Sequence, residues 1–328
     1  MKFLVTGGAG YIGSHMVNFL LKKNQEVVVL DNLSTGHAYN VQECELLNVD
    51  LVDGENLSKK LNKRKFDGVF HFAGKSIVSE SIEKPDMYNL NNFKGTQNLL
   101  KAMLDNDLDN LIFSSSAAVY GNSSQDFISE ESLKEPINPY GMTKLKTENY
   151  INEISSRYGL NSLSLRYFNA CGADPDSNFG EDHRCETHLI PRILNSILDF
   201  NDKFYVYGNN YPTSDGTCIR DYVHVMDIAE AHFLAFNNFK DKNLAKEYNI
   251  GIGRGFSVLD IIHACEQVTK NTIEIKLKEK REGDPASLVA NNQKILKDLN
   301  WRPKYISMFD IVDTAWKWHL NKFKNHDL

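Results

Sequence analysis

The chain has 328 residues, 41% of them hydrophobic and 24% charged, with a formal net charge of −6. That composition is ordinary for a globular protein and supports a sizeable core in one large or two smaller domains. The charge balance, with no basic tail or dense Lys/Arg tract, argues against nucleic acid as the main partner, though it allows a local basic pocket.

In chain order, "KFLVTG" from Lys2 reads as a buried strand that runs straight into a glycine cluster. No secretory signal is expected there, and no apolar run reaches bilayer length. "YIGSHMVNFLLKK" has helical periodicity, and "EVVVLDN" is a second strand. "DGVFHFAG" is a strand, "MYNLNNFKGTQNLLKAML" an amphipathic helix and "DNLIFSSSA" another strand. A long helix follows in "PYGMTKLKTENYINEISSRYG", then the strand "SLSLRYFN". Strands alternating with helices predict βαβ units. The expected fold class is therefore α/β, a doubly wound parallel sheet of the Rossmann type with helices on both faces.

Beyond residue 171 the texture is less regular. A helix is expected near 225–238, strands near 246–250 and 273–277, and amphipathic helices at "RILNSILDF" and "SMFDIVDTAWKWHL". The predicted division is a dinucleotide-binding domain over 1–171 and a smaller α/β substrate domain over 172–328. Part of 217–250 is expected to return to the first sheet. The five cysteines are odd in number, scattered and without CxxC spacing, so they read as reduced thiols in a cytoplasmic protein. His183, Cys185 and His188 cluster in "DHRCETH". A structural zinc site takes four donors and no second ligand pair follows, so a surface loop is expected and no metal.

Two motifs carry chemistry. In "TGGAGYIGS", Gly7, Gly10 and Gly13 follow a strand and open a helix, a turn that lets backbone N–H groups approach a pyrophosphate. Asp31 ends the next strand, where a carboxylate can bind both ribose hydroxyls and repels a 2′-phosphate. The expected cofactor is NAD. The alternative is a set of turn glycines with a surface Asp. The second motif, Tyr140-Gly-Met-Thr-Lys144, is uninformative alone: 14 tyrosines in 328 residues predict about one such spacing by chance. Its placement matters. The i,i+4 spacing puts both side chains on one helix face, after a strand whose hydroxyl-rich end carries Ser116. A phenol near pKa 10 becomes a base if a lysine ammonium and a nicotinamide cation favour the phenolate by about 4 kcal/mol. Tyr140 would then take a hydroxyl proton with Ser116 sharing it, unless the pair is simply an exposed Tyr and a solvated Lys.

The motifs "TGGAGYIGSH", "LDNLSTG", "HFAG", "FSSSAAVYG", "NPYGMTK", "LRYFNACGA", "GEDH", "DGTCIRDYVHVMD", "REGDPASL" and "LNW" span nearly the whole chain. Together they resemble the extended short-chain dehydrogenase/reductases and, within them, the UDP-glucose/UDP-galactose 4-epimerase family. The resemblance implies a closed oxidation–reduction cycle at C4 of a UDP-hexose with NAD retained, and a homodimer formed through the helices near 86–104 and 139–157. It places Tyr11 and Ile12 on the pyrophosphate turn, and Asp31, Asn32, Leu33, Ser34, Thr35 and Gly36 around the adenosine ribose and phosphates. Asp50 and Leu51 would meet the adenine, and Phe72, Ala73 and Gly74 would lie near the ribose. Asn92, Ser114, Tyr140, Lys144 and Tyr167 would complete the nicotinamide side. Some members carry a lysine two positions after "HFAG", where Ser76 stands here beside Lys75.

For the substrate, the resemblance implies Arg220 and Arg281 as a diphosphate clamp, suited by bidentate guanidinium geometry. Surface ion pairing, with Asp221 and Glu282 as neighbours, is the alternative. Phe168, Asn169, His188 and Leu189 would approach the sugar phosphate, with His188-Leu189 where some members have Asn-Leu. Tyr205, Val206 and Tyr207 would meet uracil and Asp284 a ribose hydroxyl; core packing would equally account for Val206 and Leu189. Leu288 stands where a bulkier Tyr restricts the C2 substituent, so N-acetylhexosamines are expected to be tolerated. A related 4,6-dehydratase carries Asp-Glu after the hydroxyl residue. Ala117 and Ala118 stand here and move no proton. An NAD-sensing scaffold would not need the Tyr-Lys pair, which is intact.

Overall fold

The computed structural model describes residues 1–41, 43–123, 125–176, 178–199, 203–239, 246–281 and 284–326. The first half runs β1 (Lys2–Thr6), α1 (Tyr11–Lys22), β2 (Glu26–Asp31), β3 (Glu45–Asn48), α2 (Gly54–Leu61) and β4 (Gly68–His71). It continues through α3 (Val78–Glu83), α4 (Pro85–Tyr88), a π-helical turn (Asn89–Lys94), α5 (Gly95–Asp105), β5 (Asn110–Ser116), α6 (Pro139–Tyr158) and β6 (Asn161–Tyr167). The second half comprises β7 (Asn169–Cys171), α7 (Leu189–Leu198), β8 (Phe204–Tyr207), β9 (Ile219–His224), α8 (Val225–Asn237) and β10 (Glu247–Ile250). β11 (Gly255–Ser257), α9 (Val258–Thr269), β12 (Ile275–Lys278), β13 (Ser287–Leu288), α10 (Gln293–Asp298) and α11 (Met308–His326) complete it.

Seven strands form one sheet in the order β3-β2-β1-β4-β5-β6-β10, with every neighbouring pair parallel. The strands read as near-continuous apolar runs because both faces are covered. Phe3 and Val5 of β1 enter a core with Met16, Val17 and Leu20 of α1 and Ile228 and Ala229 of α8. Leu4 points the other way, toward Leu57 and Leu61 of α2, Leu99 and Met103 of α5 and Ile151 of α6. The architecture is a doubly wound α/β fold. A third core gathers α7, α9 and α11 around Phe204, Val206 and Tyr222.

The two halves of the chain interlace. β10 pairs with β6, and α8 packs on the same face as α1. Residues 293–301 join that core as well: Trp301 is fully buried, and its indole N–H donates to Asp227 O at 3.0 Å. Residues 240–245, within the stretch expected to return to the sheet, lie outside the described residues. Among the described residues no helix is long and apolar enough to cross a membrane.

The 87–104 stretch is broken in the middle by the π-helical turn, a feature that recurs at functional sites; it carries the buried Asn92. The helix bearing Tyr140 starts sharply. Asn138 caps it by accepting from Gly141 N at 2.8 Å, Pro139 supplies the preset φ of the first turn, and Gly159 at φ +76° ends it.

Burial lowers the pKa values of His15, His71, His224, His232 and His319 to about 4, 3, 3, 4 and 4. These rings stay neutral in the fold but protonate near 6.5 when unfolded. The stability they contribute is therefore present above about pH 6.5 and lost as the pH falls toward their folded values. Carboxyls raised by burial act in the opposite sense, Asp221 foremost at about 6. Five rings outweigh them and His188, which its carboxylate neighbours raise to about 10, so the unfolding free energy is expected to fall by several kcal/mol from pH 7 to pH 5. Denaturant titrations at the two pH values measure it, and equal midpoints would refute it.

Candidate active site

A cavity of about 340 Å³ opens beyond the carboxyl ends of β1, β2, β4, β5 and β6, where parallel sheets place their ligand sites. Of the residues expected at a dinucleotide, Gly7, Gly10, Tyr11, Ile12, Gly13, Asp31, Asn32, Ser34, Thr35, Asp50, Leu51, Phe72, Ala73, Gly74, Ser114, Tyr140, Lys144 and Tyr167 line it. Gly7 has φ +70°, and a Cβ on Gly13 would stand 2.1 Å from Gly7 O, so the turn tolerates no side chain at either position. A Cβ on Gly10 would meet Gly7 O at 3.4 Å, with no other atom within 4 Å, so Gly10 leaves the cavity side of the turn open.

Asp31 is buried at the strand end, and its two oxygens accept from Ala9 N at 3.0 Å and Leu33 N at 2.8 Å. Burial pushes its carboxyl pKa up, against those two bonds. Each oxygen retains a lone pair for a diol. Asn32 is tied to Asp50 at 2.9 Å, joining the ribose and adenine ends of the cavity. This donor set fits an adenine dinucleotide without a 2′-phosphate. Leu33 and Gly36 do not line the cavity. Leu33, at φ +56°, donates to Asp31, while Gly36 lies where a Cβ would meet Ala9 C at 2.6 Å. Asn92 is likewise a pin: its side chain accepts from Lys75 N at 2.8 Å and donates to Lys75 O at 3.0 Å and to Thr143 Oγ1 at 3.2 Å. Lys75 and Ser76 both line the cavity.

At the inner end, the Ser116 hydroxyl and the Tyr140 phenol both line the cavity, and Ser116 accepts from Ala118 N at 3.2 Å. Lys144 Nζ donates to Ser114 O at 2.7 Å and lies 5.8 Å from the Tyr140 ring centroid. Ser114 in turn accepts from Tyr167. Among the protein groups alone, burial dominates the electrostatics. Burial raises the Tyr140 pKa, with Ser116 opposing, and burial lowers Lys144 to about 8, with Glu148 opposing. Burial thus holds the phenol in its protonated form, and a nicotinamide cation would act against it.

The substrate-side residues divide. Phe168, Asn169 and His188 line the same cavity. The rest form an adjoining cluster reached along β9, whose Tyr222 pairs with Asn169 while Arg220 pairs with Leu288. Arg220 donates to Asp284 at 2.5 Å, and Tyr211 reaches the same carboxylate at 3.2 Å. Arg281 stacks over Tyr207 at 4.3 Å and Lys278 over Tyr205 at 4.0 Å. Asp221 does not pair with Arg220: it is fully buried and accepts from Ile252, Gly253 and Ala290 N–H groups. Glu282 lies outside the described residues. The Val206 side chain is buried in the third core, and Leu189 packs against that core. The period of β8 therefore turns Tyr205 and Tyr207 outward and Val206 inward.

Sequence reasoning did not single out Lys278, Tyr211 or the cavity-lining Glu80, Tyr88, Asn91 and Glu181. Glu181 stands in the "GEDH" motif without a role read for it, and the fold brings the others in. Burial also isolates a pair beneath Lys144: Glu148, one helical turn on, takes two bonds from Arg166 at 2.9 and 2.6 Å. Beside the cavity, burial works against the His188 imidazolium, but Glu181 and Glu186 outweigh it and raise its pKa to about 10.

Comparison with known proteins agrees with this geometry. A profile of the NAD dependent epimerase/dehydratase family matches residues 3–251. UDP-glucose 4-epimerase of Halalkalibacterium halodurans is 46% identical over 319 residues, covering 97% of this chain and 96% of that protein. The crystal structure of UDP-glucose 4-epimerase from Brucella ovis in complex with NAD superimposes with a TM-score of 0.92 at 41% identity, covering 96% of this chain and 97% of that one. The UDP-Glc/GlcNAc 4-epimerase of Campylobacter jejuni superimposes with a TM-score of 0.84 at 37% identity, covering 98% and 99%. The glycine turn, the Asp31 strand end and the Tyr140–Ser116 pair thus sit in a chain that belongs to the NAD dependent epimerase/dehydratase family, among its UDP-glucose 4-epimerases.

Proposed function

We propose that the chain interconverts UDP-glucose and UDP-galactose by inverting C4 through a transient 4-keto sugar, with NAD held throughout. The observation that carries this reading is that Tyr140, Ser116 and Lys144 line the same cavity as the glycine turn and Asp31. Bound NAD supplies the acceptor and donor of hydride at C4. Tyr140 takes the C4 hydroxyl proton and later returns it, and Ser116 holds that oxygen and shares the proton. Lys144, anchored on Ser114 O, sets the charge beside the phenol. Arg220 and Arg281 bind the diphosphate, Tyr205 and Tyr207 flank uracil, and Asp284 takes a ribose hydroxyl. Few side chains grip the hexose itself, which leaves the keto sugar free to turn over between the two hydride transfers.

Ala117 and Ala118 supply no acid or base beside Ser116, which disfavours elimination of water. An NMR product assay with UDP-galactose tests the reading. UDP-glucose is the expected product. A 4-keto-6-deoxy sugar would mark a dehydratase, and no turnover would defeat the assignment.

Leu288 favours a wider substrate range. It packs with Phe168 on the Ala117, Val119, Tyr120 and Ile128 cluster beside Ser116. UDP-GlcNAc is expected to epimerise, and Leu288→Tyr to lower kcat/KM for it by at least about tenfold while sparing UDP-glucose, the discrimination that one filled apolar site provides. Rejection of UDP-GlcNAc by both wild type and Leu288→Ala would count against this.

The five free cysteines support a reducing, cytoplasmic setting. Leu90 and Met142, exposed on the segments 86–104 and 139–157, support a homodimer through those helices. Sedimentation velocity measures the assembly.

A further inference from the structure

The segment 181–188 holds a cluster at the cavity wall, of which only His188 is expected to meet the substrate. By spacing, its ligand types are His183, Cys185 and His188, one donor short of a structural zinc set. The fold changes the membership. Cys185 is exposed and stands apart, while Glu181 and Glu186 converge on the two imidazoles, with one ligand atom from each of the four lying within 4.8 Å of the others. His188 Nδ1 is 2.7 Å from Glu181 and 3.2 Å from Glu186, and His183 Nδ1 is 3.0 Å from Glu186 and 3.6 Å from Glu181. Bonds of about 2.0–2.1 Å in a tetrahedron put donors about 3.3 Å apart; the two Glu181 Oε1 distances bracket that value, and Glu186 comes near it with Oε2 toward His183 and Oε1 toward His188.

Burial adds to the case. The Glu181 and Glu186 side chains are 5% and 9% exposed, and two buried carboxylates draw compensating positive charge, which a metal ion can supply in place of the protons on the two imidazoles. The carboxylate of Glu186 is held in place from behind, accepting from the Thr187 and His188 N–H groups at 2.8 Å each, the support that ligating carboxylates need. The neighbouring Asp182 is occupied elsewhere, by Lys322 at 2.5 Å and by Tyr39.

We propose that Glu181, His183, Glu186 and His188 form a closed, tetrahedral His₂Glu₂ site for a borderline divalent cation, Zn²⁺ foremost. Two imidazoles with two carboxylates suit Zn²⁺ over Mg²⁺ or Ca²⁺, which take six or more oxygens. Four protein donors leave no open position, so the role is structural. The ion closes the segment 181–188 on itself, fixing the part of the cavity wall that carries His183 and His188, beside Tyr11 of the glycine turn, whose ring is 6.4 Å from that of His183. The proposal stands apart from the epimerase assignment, because its readout is metal binding.

Tag-free protein, stripped with a chelator and dialysed, is titrated with Co²⁺ and then Zn²⁺. The expected result is one equivalent of Co²⁺ per chain, with the strong visible absorption of four-coordinate Co²⁺, no thiolate charge-transfer band, and displacement by Zn²⁺. His183→Ala and Glu186→Gln should weaken binding at least about tenfold, while Cys185→Ser binds as wild type. Absence of a saturable single site in the wild-type protein overturns the proposal even if both ligand variants fail to fold. So does a thiolate band lost in Cys185→Ser, or unchanged affinity in the folded ligand variants.

Discussion

Tyr140→Phe is expected to lower kcat for epimerisation by about 10²- to 10⁴-fold, the usual contribution of a positioned acid/base, while the protein keeps its dinucleotide and thermal midpoint. The substitution removes one oxygen from the cavity wall. The ring remains edge-on to Tyr88, 6.4 Å between centroids, so packing is preserved. Ser116→Ala should cost less, roughly 10- to 100-fold, because it loses a hydrogen-bond partner and not the proton carrier. Steady-state kinetics with UDP-galactose, together with absorbance of the retained cofactor, checks both. A Tyr140→Phe protein within a few-fold of wild type would remove the phenol from the mechanism.

The second large effect lies beneath the site. Glu148 and Arg166 are buried to 2% and 1% side-chain exposure. Arg166 also donates to Tyr120 at 2.9 Å, Tyr120 donates to Asn249 at 2.7 Å, and Ser115 donates to Glu148. The network ties α6, β5, β6 and β10 together below Lys144. Removing one charge leaves the other buried without its partner, so Arg166→Met is expected to destabilise the protein by about 3–5 kcal/mol. Removing both with Glu148→Met/Arg166→Met should recover more than half of that loss. Denaturant melts measure the cycle, and a single-variant loss below about 1 kcal/mol would refute it. Glu148→Gln carries a catalytic readout as well. Glu148 opposes the burial that lowers Lys144 to about 8, so without its charge the Lys144 pKa falls further. The alkaline limb of the kcat profile is then expected to move to lower pH, a shift that loss of packing alone would not produce.

Much of the dinucleotide half was legible because its signals are local. The turn glycines, the acid one strand later and the Asn138-capped helix carrying Tyr140 and Lys144 depend on neighbours within about 20 residues, where backbone geometry follows directly from residue type. The 2-residue period of β8 likewise separates Tyr205 and Tyr207 from Val206. The substrate-side positions were reached through family resemblance, since no spacing in the chain connects Arg220 to Asp284, 64 residues apart.

Sequence alone therefore determined the α/β class, the cofactor type and the Tyr140–Lys144 face. The tertiary structure decided which distant groups meet and what burial does to their charges. It brought 293–301 into the first core, closed the His183–His188 pair with two glutamates in place of Cys185, and set Arg166 against Glu148. It also set how far burial acts against the charge of Tyr140 and Lys144: desolvation is a property of the surrounding packing and cannot be read from the residue or its spacing.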